Sequence, residues 1–343
     1  MKLVMLAFTE KGLRLAERLK MLLADNSSAE RCPKNDLYHW TEQQFETADA
    51  LVFVGAAGIA VRAIAPFVES KTRDPAVLVI DECAEFVIPI LSGHIGGANV
   101  LAEKIAGLLG ARAVITTATD CNNMFAIDSW AAEQGYAICN PERIRQVSAR
   151  VLAGGSIRLK SSFATALDPE LAGEIMLTDR PPFDVQISIK TNHYAALHLV
   201  PRVLTLGVGC KKRTPATAIH AAFDRLCAEL NLEPRAFCQV CSIDLKAQEA
   251  GLVDFCRDIQ LPLVTFSAKA LNDLPGEFTA SDFVRQTTGV DNVCERSAVL
   301  GSTGTLLVQK RAYNGVTMAV ARAAHIVRLK KAPPKDAALP LGE

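Results

Sequence analysis

Short apolar runs alternate with segments of helical periodicity in the first third of this chain, and this alternation constrains its fold most. Apolar runs of this length are typical of buried strands, and apolar residues repeated at three- and four-residue spacing are typical of amphipathic helices. The predicted strands are 3–8, 51–54, 76–80, 86–90 and 113–116, and the predicted helices are 11–24, 59–65, 98–109 and 123–133. This order predicts a mainly parallel, Rossmann-like sheet with helices on both faces. Pro89 indicates that the fourth strand is irregular or lies at an edge.

Two further α/β patterns follow along the chain. A helix with proline in its first turn and two strands are predicted at 141–152, 157–160 and 185–190. Strands at 203–210 and 263–266, helices at 215–230, 251–259 and 281–287, and a hairpin of 305–309 with 315–320 are predicted beyond them. Thr214 is the expected N-cap of the first of these helices. Asn314-Gly315 is typical of a tight hairpin turn.

The length of 343 residues exceeds that of one ordinary domain, and half of the residues are apolar, which is enough for a sizeable core. The predicted organisation is a Rossmann-like α/β domain at 1–135, a small α/β middle segment at 136–200, a second α/β domain at 201–328 and a disordered tail at 329–343.

Composition excludes several classes of protein. Lys plus Arg and Asp plus Glu both number 37, so the net charge is zero and a general polyanion binder is excluded; no nucleic-acid partner is expected. The ten cysteines are irregularly spaced in a long chain, which is typical of reduced thiols in a cytoplasmic protein. The longest apolar run, 50–61, contains two glycines and is too short to span a membrane, and the first residues lack a signal-peptide pattern.

The familiar nucleotide and hydrolase motifs are absent from the sequence. Gly207-Val208-Gly209 lacks the third glycine of a dinucleotide-binding loop, and no Walker A, H-E-x-x-H or G-x-S-x-G pattern occurs. Cys238 and Cys241 form a single C-x-x-C. Redox activity or metal binding is one interpretation of this pair, and two incidental cysteines on a buried strand is the favoured one.

Three loops rich in small residues join predicted strands to helices, at 55–58, 92–99 and 116–120. In a parallel sheet such junctions meet at the carboxyl edge, where ligands bind. Helix N-termini there offer unpaired N–H groups to carboxylates or phosphates. The loops therefore predict an anion site, with tight turns as the alternative.

His94 is the histidine within these glycine-rich loops, and it could act as a general acid or base near neutral pH. A loop histidine bonded to the backbone is the alternative interpretation. Asp81 and Glu82 follow a predicted strand and could orient His94, or form a solvated turn.

Two basic groups lie beside the glycine-rich strand ends, the first with Arg62, Lys71 and Arg73 and the second at 211–213. They suit an acidic ligand or are simply solvated. The polar run 242–251 follows a strand in the second domain, and its Ser242 and Glu249 are also consistent with helix-start chemistry.

These same loops resemble the CbiG family of cobalamin biosynthesis. The amino-terminal motifs are 55–66, Lys71 with 74–77, Asp81-Glu82, Ile90-Leu-Ser-Gly-His-Ile-Gly-Gly-Ala-Asn99 and Ile115-Thr-Thr-Ala-Thr-Asp120. The carboxyl-terminal motifs are Gly207-Val-Gly-Cys210, 242–249 with 251–252, Ser281 with 283–284, 289–290, 293–295 and 315–317. The match is strong over about 50–125 and good over 203–322. Ala57 stands where the family pattern has Thr, and 295–299 departs from its Pro-Ala-Ala-Leu style.

The resemblance implies a cobalt-precorrin 5A hydrolase of the anaerobic corrin pathway, a carbon–carbon-bond hydrolase that opens the ring A δ-lactone and releases acetaldehyde. No cofactor or protein-bound metal is implied, because the cobalt belongs to the substrate. The expected partner is this cobalt-corrinoid intermediate; a homodimer and transient contacts with other corrin-pathway enzymes are compatible with the sequence. The alternatives are a carrier that binds a tetrapyrrole intermediate without chemistry, or a nucleotide-dependent α/β enzyme with an atypical phosphate loop.

Lactone hydrolysis needs an activated water, donors for the oxyanion and a proton for the leaving alkoxide. The catalytic residues predicted for these tasks are His94, Asp81, Glu82 and Glu249. The predicted substrate-binding residues are Gly55, Gly58, Arg62, Lys71, Ser92, Gly93, Gly96, Gly97, Thr117, Thr119, Cys210, Ser242, Asp244 and Lys246. Among them, the N–H groups of 55–58 and 93–97 are the expected oxyanion or carboxylate donors.

Overall fold

A computed structural model describes residues 1–23, 26–33, 36–70, 73–122, 124–191 and 196–331. These residues form two compact units. The first unit contains residues 1–133 and 144–155, and the second contains 134–143 and 156–331. The predicted middle segment is therefore divided between the two units.

The first unit is built on a six-stranded sheet. Its strands are β1 (Leu3–Ala7), β2 (Ser27–Arg31), β3 (Ala50–Val54), β4 (Ala76–Ile80), β5 (Phe86–Leu91) and β6 (Arg112–Ala113). The order across the sheet is β2-β1-β3-β4-β5-β6. Strands β2, β1, β3 and β4 are parallel, whereas β5 is antiparallel to β4 and parallel to β6. The α/β class and the mainly parallel sheet predicted from the sequence are confirmed.

Helices cover both faces of this sheet. They are α1 (Glu10–Leu23), α2 (Leu37–Thr47), α3 (Ala57–Ile64) and α4 (Ala98–Leu109). The unit also contains α5 (Ala118–Cys121), α6 (Ile127–Glu133) and α7 (Ile144–Leu152). Side chains alternate along β1, so Met5 joins a core with Ala16 and Ile105 on one face, and Leu6 joins a core with Trp40 on the other. Strands β1, β3 and β4 are buried throughout, as expected for strands covered on two sides.

The reversal at β5 changes the position of the predicted site. Five residues, 81–85, connect β4 to β5, which suffices for a hairpin but not for a parallel crossover of a dozen or more residues. Asp81 closes this turn, since its carboxylate accepts hydrogen bonds from the N–H groups of Cys83, Glu85 and Phe86. As a result, Leu91 at the end of β5 pairs with Val77 near the start of β4.

The second unit contains two five-stranded sheets and a parallel pair. One sheet has the order β10-β8-β11-β12-β7, from β7 (Ala137–Ile138), β8 (Ile157–Ser161), β10 (Ile175–Leu177), β11 (Val185–Ile187) and β12 (Leu197–Val200). The other has the order β15-β14-β13-β17-β16, from β13 (Leu204–Cys210), β14 (Phe237–Ile243), β15 (Leu263–Phe266), β16 (Thr305–Tyr313) and β17 (Val316–Arg322). The pair consists of β9 (Ala164–Leu167) and β18 (Ile326–Leu329).

Five helices belong to the second unit: α8 (Ala216–Leu230), α9 (Ala250–Asp258), α10 (Ala268–Asp273), α11 (Asp282–Thr288) and α12 (Cys294–Ser302). Helix α12 lies directly against β13, because a Cβ added to Gly207 would come within 1.8 Å of the Cys294 carbonyl oxygen. Gly207-Val208-Gly209 is thus a site of close helix–strand packing, which argues against a phosphate loop there. Asn314 and Gly315 both have positive φ between paired β16 and β17, so the predicted hairpin is confirmed.

Several predicted elements need correction. The strand predicted at 113–116 is reduced to Arg112–Ala113, because the chain then turns into the loop that carries Thr117. The helix predicted at 123–133 begins at Ile127, after the one-turn α5; residue 123 lies outside the described residues. Pro215, not Thr214, is the N-cap of α8, and the Thr214 hydroxyl donates to the Lys211 carbonyl instead.

The start of the predicted tail also needs correction. Leu329 ends β18, and Lys331 lies 3.0 Å from the Glu174 carboxylate, so ordered contacts extend beyond residue 328. The remainder, 332–343, lies outside the described residues. Among the helices that the structure describes, none is long and apolar enough to cross a bilayer.

Candidate functional sites

The sequence-predicted residues of the first unit fall at opposite edges of its sheet. The carboxyl ends of β1, β3 and β4 form one edge, with Gly55, Asp81 and Glu82. Leu91, at the end of antiparallel β5, lies at the other edge and leads into the loop of His94. Strand β4 separates the two edges by about 13 Å, the length of five extended residues. The prediction that all three loops meet at one carboxyl edge is therefore wrong.

The residues at the first edge have local partners. Gly55 N–H donates to the Ile80 carbonyl, so it is not available to an oxyanion. Arg62 donates to the Gly58 carbonyl across one turn of α3. The Glu82 carboxylate accepts from the Thr9 hydroxyl at 2.5 Å. Neither Asp81 nor Glu82 is positioned to orient His94, and Lys71 lies outside the described residues.

At the opposite edge, His94 belongs to a compact polar group that we call the His94 cluster: His94, Asn99, Thr117, Thr119, Asp120 and Ser129. The ring Nδ1 is hydrogen-bonded to the Ser129 hydroxyl, and Nε2 lies 3.2 Å from the Thr119 hydroxyl. Asp120 is the acidic residue next to His94, with its Oδ2 atom 3.8 Å from Nε2. The side chains of His94 and Asp120 are 18% and 22% exposed, so solvent can reach them.

The Asp120 carboxylate is fixed by two donors from neighbouring loops. Asn99 Nδ2 donates to Asp120 Oδ2 at 2.9 Å, and the Thr117 hydroxyl donates to the same oxygen. Asn99 Nδ2 also lies 3.0 Å from the Thr117 hydroxyl. Asn99 and Asp120 belong to two of the family motifs in the sequence, but no role was predicted for either residue.

The glycines between Ser92 and α4 set the shape of the His94 loop. A Cβ on Gly96 would lie 2.4 Å from Ser92 Cβ, and a Cβ on Gly93 would lie 2.8 Å from Asn99 Oδ1. Gly97 has φ of +79°, which favours glycine. Gly97 N–H donates to the His94 carbonyl, so this predicted oxyanion donor is already bonded within the loop.

The second unit contains a cavity of about 650 Å³ beside the carboxyl end of β13. We call it the lysine cavity, because four lysines and one carboxylate line it together with apolar and hydroxyl side chains. Its charged lining residues are Lys211, Lys212, Lys246, Lys310 and Glu249. This excess of positive charge suits an acidic ligand, and the volume is that of a small-molecule site.

Among the predicted residues of the second unit, Cys210, Lys246 and Glu249 line the lysine cavity. Lys246 Nζ lies 2.7 Å from Glu249, which also accepts from Arg213 N–H. The hydrogen bond from Lys246 lowers the pKa of Glu249, so its carboxylate is ionised at neutral pH and cannot donate a proton. Burial raises the pKa of the Cys210 thiol, which favours a neutral lining group over a thiolate nucleophile.

The other two predicted residues of this unit have structural contacts. The fully buried Ser242 hydroxyl donates to the Val208 carbonyl between adjacent strands. Asp244 accepts from Leu245 N–H at the start of a short 3₁₀ turn. Neither residue lines the cavity.

One wall of the lysine cavity is formed by residues 281–293. No binding role was predicted from the sequence for these residues. Consecutive side chains of α12 anchor this wall. Buried Glu295 accepts from Thr279 N–H, the Thr279 hydroxyl and Lys310 N–H. Arg296 donates to Asp291 and to the carbonyls of Leu271 and Leu274. The departure at 295–299 therefore has a structural role here.

The two cysteines of the C-x-x-C pattern lie three residues apart on β14, where the pairing with β13 shifts register. The Cys238 thiol donates to the Leu204 carbonyl. Cys241 is buried, and burial raises the pKa of its thiol to about 12. This arrangement favours incidental strand cysteines over a redox pair.

A cluster far apart in sequence, Cys139, His198 and Glu233, brings possible metal-ligand atoms within 4.8 Å of one another. His198 Nε2 donates to the Ser188 carbonyl, and burial lowers the pKa of His198, so its ring is neutral. Arg235 Nε lies 3.7 Å from the Glu233 carboxylate. Arg235 therefore already supplies the positive charge that a bound cation would bring.

Comparisons with known proteins match both units. The family model described as Cobalamin synthesis G N-terminal matches residues 39–120, and Cobalamin synthesis G C-terminus matches residues 204–321. The first range contains His94 and Asp120, and the second contains the lining residues of the lysine cavity.

Two curated relatives align with most of the chain. The cobalt-precorrin-5A hydrolase of Salmonella typhimurium is 37% identical over 295 residues, 80% of this chain and 82% of that protein. The cobalt-precorrin-5A hydrolase of Priestia megaterium is 32% identical over 300 residues, 81% of this chain and 79% of that protein.

A solved structure, a cobalamin biosynthesis protein G homologue from Sulfolobus solfataricus, is 23% identical with a TM-score of 0.42, covering 94% of this chain and 97% of that one. The two family models and the two curated relatives agree on one assignment. The chain belongs to the CbiG family of cobalamin biosynthesis.

Proposed function

We propose that this protein is a cobalt-precorrin-5A hydrolase. It opens the ring A δ-lactone of cobalt-precorrin 5A, releases acetaldehyde and forms cobalt-precorrin 5B in anaerobic cobalamin biosynthesis. The observation that carries the proposal is the His94 cluster, an accessible imidazole beside a carboxylate in a member of the CbiG family. The names of the curated relatives support the same activity.

His94 is the proposed acid and base of the lactone opening. As a base it takes a proton from water while the water oxygen attacks the lactone carbonyl carbon. As an acid it returns that proton to the alkoxide when the carbonyl carbon–oxygen bond breaks. To release acetaldehyde, the same imidazole takes the proton of the freed hydroxyl group. The bond between the hydroxyl-bearing carbon and the macrocycle then breaks, its electron pair stays with the macrocycle, and the imidazolium returns the proton there.

The lysine cavity is the proposed binding site for the acidic edge of the substrate. Cobalt-precorrin 5A carries acetate and propionate groups around its ring. Lys211, Lys212 and Lys310 offer ammonium groups to such carboxylates at the cavity lining. Lys246 is already paired with Glu249, so it contributes less net charge.

The protein is proposed to need no cofactor, since hydrolysis requires only water and the cobalt enters with the substrate. It is further proposed to act in the cytoplasm, as a homodimer in transient contact with other corrin-pathway enzymes. Absence of a protein-bound metal ion is tested by adding a chelator to the purified protein before the assay, which should leave turnover unchanged. Absence of an organic cofactor is tested by dialysis of the protein, which should leave turnover unchanged as well.

The deciding experiment is an anaerobic incubation with cobalt-precorrin 5A, followed by mass spectrometry of the corrinoid and an acetaldehyde trap. The expected result is loss of the two-carbon fragment with a matching amount of trapped acetaldehyde. Tight binding without a mass change would indicate a carrier instead. No binding would contradict the proposed substrate.

A further inference from the structure

The His94 cluster contains a carboxylate to which no catalytic role has been assigned so far. We infer that Asp120, held by Asn99 and Thr117, is the positioning residue that orients His94 and faces the positive charge that the ring gains during the reaction. This role was predicted for Asp81 or Glu82, which lie at the opposite edge of the sheet. The inference rests on the proposed hydrolase function and specifies how its acid–base group works.

The contacts of Asp120 suit a permanent anion. Oδ2 accepts from the Asn99 amide and from the Thr117 hydroxyl. Both donors stabilise the ionised carboxylate over its protonated form. Asn99 lies in the first turn of α4, and Thr117 directly precedes α5. The carboxylate is therefore held by residues from two different segments of the chain. A side chain fixed in this way can orient a neighbour without itself exchanging a proton.

The position of Asp120 relative to His94 gives this anion an electrostatic effect. Its Oδ2 lies 3.8 Å from Nε2, within ion-pair range and slightly beyond a direct hydrogen bond. When His94 takes the proton from the attacking water, an imidazolium forms next to the carboxylate. About four-fifths of each side chain is covered, so the attraction is less screened than at an open surface.

Ser129 and Thr119 complete the orientation of the ring. Ser129 contacts Nδ1 and Thr119 contacts Nε2, so both ring nitrogens have hydroxyl neighbours that can donate or accept. Both of these partners are neutral. Asp120 is the charged partner of the ring.

The glycine at 93 connects this arrangement to the loop itself. Asn99 N–H donates to the Gly93 carbonyl, and the Asn99 side-chain oxygen occupies the space that a Cβ at 93 would need. The tight loop therefore allows Asn99 to reach Asp120. A cluster that only closed the loop would require these bonds as well, so the test must separate stability from turnover.

The experiment compares the anaerobic steady-state turnover of cobalt-precorrin 5A by wild type, Asp120→Asn, His94→Ala and the double variant over a range of substrate concentrations. Asp120→Asn keeps the shape of the side chain and removes its charge. We expect kcat to fall by about 30-fold, less than the roughly 10²- to 10⁴-fold that a general acid–base group supplies, with KM changed less than about 2-fold. The double variant should be no slower than His94→Ala, because Asp120 acts through His94.

Asp258→Asn is the matched control. Asp258 Oδ2 lies 3.2 Å from His220 Nε2, a second His–Asp pair outside the His94 cluster. The kcat of Asp258→Asn should equal that of wild type. Asn99→Ala, which removes one donor from Asp120, provides a second variant, and its kcat should fall in the same direction. If Asp120→Glu retained the kcat that Asp120→Asn loses, this would further support the requirement for a negative charge at residue 120.

A wild-type protein that releases no acetaldehyde would overturn the proposed function and this inference with it. Wild-type turnover combined with an Asp120→Asn kcat within 2-fold of wild type would overturn the inference alone. An equal loss from Asp120→Asn with and without His94 would do the same. A fall in melting temperature with unchanged kcat would reduce Asp120 to a loop-closing residue.

Discussion

The His94 cluster and the lysine cavity differ in how they are built. The first is a set of short side-chain bonds between neighbouring loops, with a histidine and a carboxylate at its centre. The second is an open volume lined by four lysines, of which Lys246 pairs with Glu249. A tight polar network holds a proton-transfer group in one geometry, whereas a roomy basic cavity accepts an acidic ligand. In the proposed function, chemistry and binding therefore depend on different parts of the chain.

The largest expected effect is that of His94→Ala. Removing the proposed acid–base group should lower kcat by about 10²- to 10⁴-fold and leave KM nearly unchanged. Single-turnover mass spectrometry measures this loss, and His220→Ala, a histidine outside the cluster, is the control. If His94→Ala retained wild-type kcat, the His94 cluster would lose its proposed role.

Arg296→Met should be the most destabilising change near the lysine cavity. It removes the donors of Asp291 and of two buried carbonyls, and loss of one partner of a buried ion pair costs about 3 kcal/mol. Arg285 is 61% exposed and lies 3.5 Å from the same carboxylate, so Arg285→Met should cost about 0.5 kcal/mol. Urea unfolding followed by circular dichroism compares the two.

Trp40 and Trp130, the two tryptophans of the chain, both lie in the first unit. Their fluorescence therefore reports on that unit, while circular dichroism reports on both. Arg296→Met should shift the circular-dichroism transition more than the fluorescence transition. Equal shifts by both probes would contradict an effect confined to the second unit.

Gly96→Ala tests the shape of the His94 loop. The added Cβ would overlap Ser92, and such overpacking costs about 2 kcal/mol. The displaced loop should lower kcat by about 10-fold, since small misplacements of catalytic groups are costly. Gly107→Ala in α4 has open space around its Cβ and should keep full activity. Equal kcat for the two variants would mean that the loop tolerates movement.

Lys212→Met tests the lysine cavity. Loss of one charged hydrogen-bond donor should raise KM by about 10-fold, equivalent to about 1.4 kcal/mol, with little change in kcat. Lys269→Met, at an exposed position of α10 away from the cavity lining, should match wild type. A fall in kcat without a change in KM would contradict the division between binding and chemistry.

The smallest effect is a pH dependence of stability at Asp291. Its hydrogen bond with Arg296 lowers the pKa of the folded Asp291 carboxyl below its ordinary value of 3.8. The ion pair therefore stabilises the fold above about pH 3.8 and is lost as the pH falls through the folded pKa; each unit of pKa is worth about 1.4 kcal/mol. The difference in unfolding free energy between wild type and Asp291→Asn should shrink below pH 3.8. A constant difference would contradict this assignment.

Residues close in sequence explain where prediction succeeded. Buried strands and their helices follow from local periodicity, and the loop of His94 is one continuous motif. The orientation of β5 was missed although the five-residue connection at 81–85 contains the signal, because a parallel crossover cannot be that short. Because β5 is antiparallel to β4, His94 lies at the opposite edge of the sheet from Asp81 and next to Asp120.

Contacts between residues that are distant in sequence explain where prediction from the sequence failed. The wall at 281–293 is held by Glu295 and Arg296 through bonds to residues up to 25 positions away, and helix α12 was not predicted at all. No local pattern distinguishes a buried, satisfied Arg296 from an exposed one. The cluster of Cys139, His198 and Glu233 is likewise visible only after folding.

The contact between Gly207 and α12 has a consequence for engineering this protein. The Cys294 carbonyl oxygen lies directly against β13 at Gly207. A larger side chain at residue 207 would therefore separate α12 from the sheet, and the cavity cannot be enlarged in that direction. Redesign for a bulkier or differently charged ring must therefore change the rim: the wall at 281–293 and the lysines that face it. Directed evolution of ligand preference should accumulate substitutions there and spare residue 207.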